Sequence, residues 1–262
     1  LKFETSSSTT VSGIQGQQSA YTGTITATDT PPYSAGEFGY FNTYVFQGDY
    51  AFRFPDDFNE HYIEMGTPAT RTEWSSLFSG SFSLSAWVYL EQTSGNSTVY
   101  NGTPIFGLGP MSTYGFSFNI DRNALGSGVV SYYSYGPDGT GVNPNGVIRS
   151  WTGATGILNY QGWNHIVFVV DGATTATNRR VKAYVNNNDI GYIDDTTANQ
   201  YFQKSWTTTK SVFFGNYKLN QGNYALDETS LWDFALTSAQ VNLLYNSASP
   251  IDNLTALPSG SC

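Results

Sequence analysis

Asp227 and Glu228, side by side in "NYALDETSLWDFALTSAQVNLLYN" (223–246), are the residues whose types come closest to catalysis. Glycoside hydrolysis uses two carboxyl groups that face each other across the scissile bond, at roughly 5–9 Å. Neighbouring residues of a strand do not meet that demand, because successive side chains point to opposite faces. One acid is therefore expected to face inward or pair with a neighbour, and the other to face solvent. Asp227 keeps a second use as an oxygen ligand of a structural calcium, whose ligands can come from distant strands. Asp57, in the acidic stretch "DDFNEHYIEMG" with Asp56, Glu60, His61 and Glu64, is the other candidate for that ion. The stretch lacks the spacing and glycine of an EF-hand, so a solvated acidic loop is the reading set beside it.

His165 in "GWNHIVFVVDG" (162–172) has the side chain most often used as a general base. It lies in the middle of an apolar run, with no serine or cysteine nucleophile motif beside it. A core histidine satisfied by hydrogen bonds is the expectation. "GLGP" (107–110) has too few glycines and no following helix for a phosphate loop, and neither a zinc spacing nor a nucleotide fingerprint occurs.

Aromatic side chains offer a different chemistry, since the apolar C–H faces of sugar rings stack on Trp and Tyr while Asn and Ser bond the hydroxyls. Tyr132, Tyr133 and Tyr135, with Asn143, Asn145 and Trp151, fall in "VVSYYSYGPDGTGVNPNGVIRSWTG" (129–153). This Gly/Asn-rich segment is longer than a simple hairpin loop, and long loops in compact domains often carry function. Those six residues are the candidate ligand-binding set. The alternative is that the tyrosines pack the fold or a subunit contact.

Strands must position all of these groups. "GSFSLSAWVYLEQ" (80–92) alternates, with Phe82, Leu84, Ala86, Val88 and Leu90 on one face and Ser83, Ser85, Trp87 and Tyr89 on the other. "YVFQGDYAFRF", "HYIEM", "TPIFGLG", "YGFSFNID", "GVVSYYSYG", "KSVFFGN" and "ALDETSLWDFA" read as further strands between Gly, Pro and Asn punctuation. "GWNHIVFVVDG" is apolar on both faces, as a strand in the middle of a sandwich would be. "RRVKAYVNNNDIGYI" reads as a hairpin turning at Asn186–Asp189. Only "LTSAQVNLLYN" has helical spacing, with Thr237 or Ser238 as its cap and Val241, Leu244 and Tyr245 facing inward.

Composition agrees. Of 262 residues, 16 % are aromatic and only 12 % charged, with 27 Gly, a mixture that favours pleated strands and tight turns over helices. The formal net charge of −9 excludes a nucleic-acid partner, which needs clustered Lys and Arg, and disfavours an anionic membrane surface. No apolar run reaches the roughly 18 residues of a membrane span. The one cysteine, Cys262, allows no internal disulfide, so stability rests on core burial. The chain starts at Leu1 without a leader-like segment, and it is expected to be processed or part of something longer. The reading is all-β: a two-sheet antiparallel jelly-roll sandwich of roughly a dozen strands and one short C-terminal helix. Residues 1–43 form a Ser/Thr/Gly-rich extension that supplies edge strands of the same domain, 44–250 the jelly roll, and 251–262 a tail.

The ordered set "YAFRFPDDFNEHYIEMG", "GSFSLSAWVYLEQ", "GWNHIVFVVDG", "VKAYVNN", "SVFFGN" and "ALDETSLWDFALTSAQVNLLYN" resembles the laminin-G-like, concanavalin A-like lectin/glucanase superfamily over about residues 50–246. The resemblance implies a curved jelly-roll sandwich with loops at one rim, in a family that binds glycans or proteins and includes some glycosidases and lyases. Its glycosidase branch carries Glu-x-Asp-x-x-Glu, which is absent here, and its pentraxin-like calcium loop corresponds to the acid-free stretch 216–224. The Ser/Thr/Asn/Tyr-rich style, with "LYNSASPIDNLTALPSG", is also similar to such modules in structural proteins of tailed, especially marine, phages. With the missing acid pair and a strand-rich, weakly charged surface, the expectation is a non-catalytic surface or adhesion module on a virion (decoration, neck or fibre) that binds glycans or neighbouring subunits as a homo-oligomer, with a structural calcium as the one candidate cofactor. A secreted carbohydrate-binding domain of a cell is the alternative, and a divergent glycosidase or polysaccharide lyase the third.

Overall fold

The structure, a computed structural model, describes residues 10–12, 22–26, 39–41, 51–54, 61–91, 103–109, 115–122, 128–135, 147–150, 158–159, 161–172, 180–192, 210–216 and 224–246. Its chain order begins with β1 (Thr10–Ser12), β2 (Thr22–Thr26), β3 (Gly39–Phe41), β4 (Ala51–Phe54), β5 (His61–Glu64), α1 (Thr72–Ser79) and β6 (Phe82–Leu90). It continues through β7 (Thr103–Gly109), β8 (Gly115–Arg122), β9 (Gly128–Tyr135), β10 (Val147–Ser150) and β11 (Gly162–Asp171). It ends with β12 (Arg180–Val185), β13 (Asn188–Tyr192), β14 (Ser211–Asn216), β15 (Tyr224–Trp232) and α2 (Ser238–Tyr245).

These strands form two antiparallel sheets. Eight run in the order β1-β2-β5-β14-β7-β8-β9-β10, and seven in the order β13-β12-β11-β6-β15-β4-β3. The inner faces meet in a core of phenylalanines, tyrosine and branched aliphatics. Phe118 of β8 stacks on Phe168 of β11 at 4.5 Å and 12°, which joins the two sheets. Tyr224 fills the same core and donates from its hydroxyl to the Pro104 carbonyl across the sandwich, at 2.6 Å.

The alternation read in 80–92 is the alternation of β6. Phe82, Leu84, Ala86, Val88 and Leu90 enter the core, and the other parity faces outward. The hairpin turns at Asn186 and Asn187, both with positive φ (50° and 64°), the turn geometry whose twist matches its strands. The C-terminal helix starts with a capping box in which Thr237 and Gln240 bond each other's backbone N–H groups.

A second helix, α1, is not visible in the sequence pattern. Its N-cap residue, Arg71, makes no side-chain cap bond, and only Trp74 and Phe78 are buried, so local signals are few. Tertiary contacts hold it: Trp74 Nε1 donates to the Met65 carbonyl at 3.0 Å, and Phe78 packs edge-on against Phe116 at 5.2 Å.

The seven-stranded sheet is buried on both faces at its centre. Val167, Val169 and Tyr184, on the outer face, form a second apolar cluster with Leu236, Val241 and Leu244 of the C-terminal segment. Ser83 pins that segment down, donating to the Phe234 carbonyl and accepting from the Leu236 N–H, both at 2.9 Å.

Candidate functional site

Three groups with acid–base or nucleophilic chemistry, His165, Ser85 and Asp227, lie on the outer face of the seven-stranded sheet, where β11, β6 and β15 are side by side. His165 stands opposite Trp87 in register, and Trp87 opposite Asp227. The imidazole shares a 2.9 Å hydrogen bond between Nε2 and Ser85 Oγ. Its Nδ1 is buried without a hydrogen-bond partner. Trp87 lies 5.0 Å from the His165 ring, and Tyr245 at the end of α2 stacks on Trp87 at 5.9 Å and 15°. Burial lowers the His165 pKa to about 3. A Ser–His pair is thus present, but the base has no orienting partner and the helix end closes over it. The arrangement serves packing, as expected of a core histidine, although only one of the two ring nitrogens is satisfied.

The carboxylate pair takes a shape the sequence did not suggest. A β-bulge shifts the register between Asp227 and Ser230, and Glu228 carries a φ of 44°. Asp227 is 1 % exposed, and its Oδ1 accepts the Glu228 N–H at 2.8 Å. Strict alternation therefore fails at this point, and Glu228 is half-buried where a solvent-facing side chain was one expectation. Among the described residues, no three His, Cys, Asp or Glu side chains come together. Calcium takes six to eight oxygens, and Asp227 offers one carboxylate whose Oδ1 accepts the neighbouring Glu228 N–H. Asp57 lies outside the described residues, as do Asn143, Asn145 and Trp151.

Tyr132 needs correction as a ligand-binding residue. It is 2 % exposed and sits in the core beside Phe118, at 5.8 Å, because it shares the parity of Val130. Tyr133 and Tyr135 lie on β9, opposite Ser117 and Gly115 of β8.

A surface the sequence did not single out lies one register pair beyond Trp87. Tyr89 pairs with Trp163, and Arg53, Ala225 and Tyr89 are opposite one another across β4, β15 and β6. The Tyr89 and Trp163 rings are half-buried and meet at 5.5 Å and 68°. Arg53 binds Glu91 with both arms, Nε to Oε1 at 2.6 Å and Nη2 to Oε2 at 2.8 Å. These two side chains are 10 % and 15 % exposed. The Asn164 amide fixes the entry to β11: it accepts from the Asn159 N–H (2.7 Å) and Asn186 Nδ2 (3.0 Å) and donates to the Asn159 (2.8 Å) and Gly162 (3.2 Å) carbonyls. The signal for this surface was the outward parity of Tyr89; its partners are long-range and left no local trace.

No helix among the described residues is long and apolar enough to cross a membrane. No curated protein matches the sequence. Among solved structures, the binding domain of botulinum neurotoxin serotype D is similar at 10 % identity and a TM-score of 0.52, with 87 % of this chain and 47 % of that one covered. The binding domain of botulinum neurotoxin DC, solved in complex with rat synaptotagmin II, gives 13 % identity and a TM-score of 0.51, over 91 % of this chain and 51 % of that one. A Trypanosoma rangeli sialidase gives 12 % and 0.49, over 87 % and 29 %. The chain spans about half the length of the toxin domains, and identities this low speak to fold alone. The family model described as the concanavalin A-like lectin/glucanases superfamily matches residues 59–242, more than half of the sequence. With that match and two antiparallel sheets closed by a capped C-terminal helix, the chain belongs to the concanavalin A-like lectin/glucanases superfamily.

Proposed function

We propose that this protein is a non-catalytic surface module that binds glycans. The observation that carries this reading is the sealing of two reactive sites among the described residues: the Ser85–His165 pair lies under the end of α2, and Asp227 is buried with its Oδ1 on the Glu228 N–H. A hydrolase needs such groups within reach of substrate. The toxin binding domains it resembles in fold support a recognition role; one of them was solved in complex with SialylT. The setting we assign is an extracellular or virion surface, as a decoration, neck or fibre component of a phage, supported by the weakly charged, Ser/Thr/Asn/Tyr-rich composition. Repeated subunit packing suits the same composition.

A glycan array probed with the full chain, with and without EDTA, tests the reading. Binding that survives EDTA is expected. Turnover of any arrayed polysaccharide that Asp227→Asn abolishes would overturn the non-catalytic assignment, and silence in both conditions would overturn glycan recognition. Light scattering at high concentration tests the assembly: a strictly monomeric species without affinity for virions refutes the virion setting.

A further inference from the structure

We propose that the C-terminal clasp, residues 234–246, is an acid-released lid: a proton on His165 lifts α2 and Tyr245 off the outer face of the seven-stranded sheet while the sandwich beneath stays folded. Such a lid is independent of the glycan-binding reading and adds a conformational device to the module.

The trigger lies under the lid. His165 is 1 % exposed, and Tyr245 at the end of α2 meets its ring at 6.0 Å and 33°. Ser85 and Trp87 of β6 supply its other side-chain contacts, on Nε2 and on the ring. Nδ1 is buried without a hydrogen-bond partner. A neutral ring with its hydrogen on Nε2 leaves a lone pair there, whereas an imidazolium puts an N–H and a positive charge in the same place. A buried charge with an unmet donor is costly, and burial holds the pKa at about 3 while the lid is down.

The ionisable groups around the ring offer that charge no direct partner. On β6, Trp87 stands in register between His165 and Asp227 of β15, and Asp227 Oδ1 accepts the Glu228 N–H. On β12, Asn186 takes the His165 backbone, Tyr184 bonds Ser238, and Lys182 pairs with Asp189 at 2.6 Å. Within α2, Tyr245 is the one ionisable residue, and the exposed Asp233 precedes the clasp. Asp171 lies at the far end of β11. Moving the lid is what gives the imidazolium water.

The lid is also the part built to move. The contacts described between it and the sheet are neutral: Ser83 with Phe234 and Leu236, Tyr184 with Ser238, and Asn187 with Asn242. Of the helix, only Val241 and Leu244 are buried, whereas the opposite face of β11 sends Ile166, Phe168 and Val170 into the main core. Segments with few buried contacts open locally before the whole domain does.

The test is native-state hydrogen exchange of the full chain between pH 6.5 and pH 4, corrected for intrinsic exchange rates. An opening that frees one buried base to take a proton becomes about tenfold more frequent per pH unit, so the α2 amides should lose roughly a hundredfold of protection. The β6 amides should stay at least tenfold better protected throughout. In His165→Gln, which cannot charge, the α2 protection should vary less than tenfold. If that variant fails to fold, histidine-labelled NMR of the unmutated chain replaces it, with His61 and His165 as the two signals. The His165 imidazolium signal should then appear as the native α2 amide signals fade, with β6 still native. Protection of α2 that ignores pH, equal protection of α2 and β6, or an unchanged pH dependence in His165→Gln overturns the proposal. So does an imidazolium signal that appears with α2 in place, or only as the β6 signals vanish.

Discussion

Lowering the pH should destabilise this protein through His165. The imidazole is buried on the outer face of β11, with Trp87 and Tyr245 against its ring and Ser85 on Nε2. Ionisable side chains described on that face include Asp227, across β6, and Tyr184 and Tyr245. Burial lowers the histidine pKa from 6.5 to about 3. Between those values the unfolded chain binds a proton that the folded chain refuses, so stability rises with pH across the window and is level above it. The slope from one such group is about 1.4 kcal/mol per pH unit, and the loss between pH 6.5 and pH 3 comes to about 4 kcal/mol. That is a large fraction of the roughly 5–15 kcal/mol by which domains are stable.

Urea titrations followed by tryptophan fluorescence at a series of pH values measure the effect. Carboxylates also titrate at the acid end, so the readout is the difference between the native chain and His165→Gln. The glutamine keeps a donor for Ser85 and cannot charge. Its free energy of unfolding should lose the histidine share of the slope, and the two curves should converge as the pH falls. Equal slopes for both proteins between pH 6.5 and pH 3 would refute the argument, because His165 would then titrate alike folded and unfolded.

Two local features give sharper structural tests. Asn164→Ala removes an amide that makes four hydrogen bonds and leaves the Asn159 backbone groups without it, so a loss of about 3 kcal/mol in chemical denaturation is expected, together with faster hydrogen exchange at Asn159. Gly115→Ala puts a Cβ into the Leu108 carbonyl at a φ of +119°, and calorimetry should show a loss above about 3 kcal/mol; a neutral result would mean that β7 and β8 are not paired as described.

What could be read in the sequence was local. The alternation of 82–90 needs only a period of two, the Asn186–Asn187 turn only residues that tolerate positive φ, and α2 only a capping box and two inward residues. Where one element depends on another, sequence reasoning lost its grip. Tyr132 and Tyr133 are the same residue type side by side, and nothing within the pair says which parity faces the core; Val130 on its own strand and Phe118 on the next decide it. The bulge after Asp227 removes the alternation on which the carboxylate argument stood. Arg53 and Glu91 are 38 positions apart, and their pairing follows from β4 and β6 both flanking β15.

The length of α2 decides which outer-face residues the helix reaches. The helix starts at Tyr184 on β12 and ends over Trp87 on β6. Crossing two strand spacings is about 10 Å, and the shift from the Ser85 level to the Trp87 level adds about 7 Å at right angles. The diagonal is about 12 Å, which eight helical residues span at about 1.5 Å each. Asn246, in the left-handed conformation at φ 40°, then turns the chain out of the helix. One further turn, about 5 Å, would carry α2 toward Tyr89 and Trp163. The same short helix thus brings Tyr245 against the His165 and Trp87 rings. The cap at Asn246 therefore sets which outer-face rings the helix end meets.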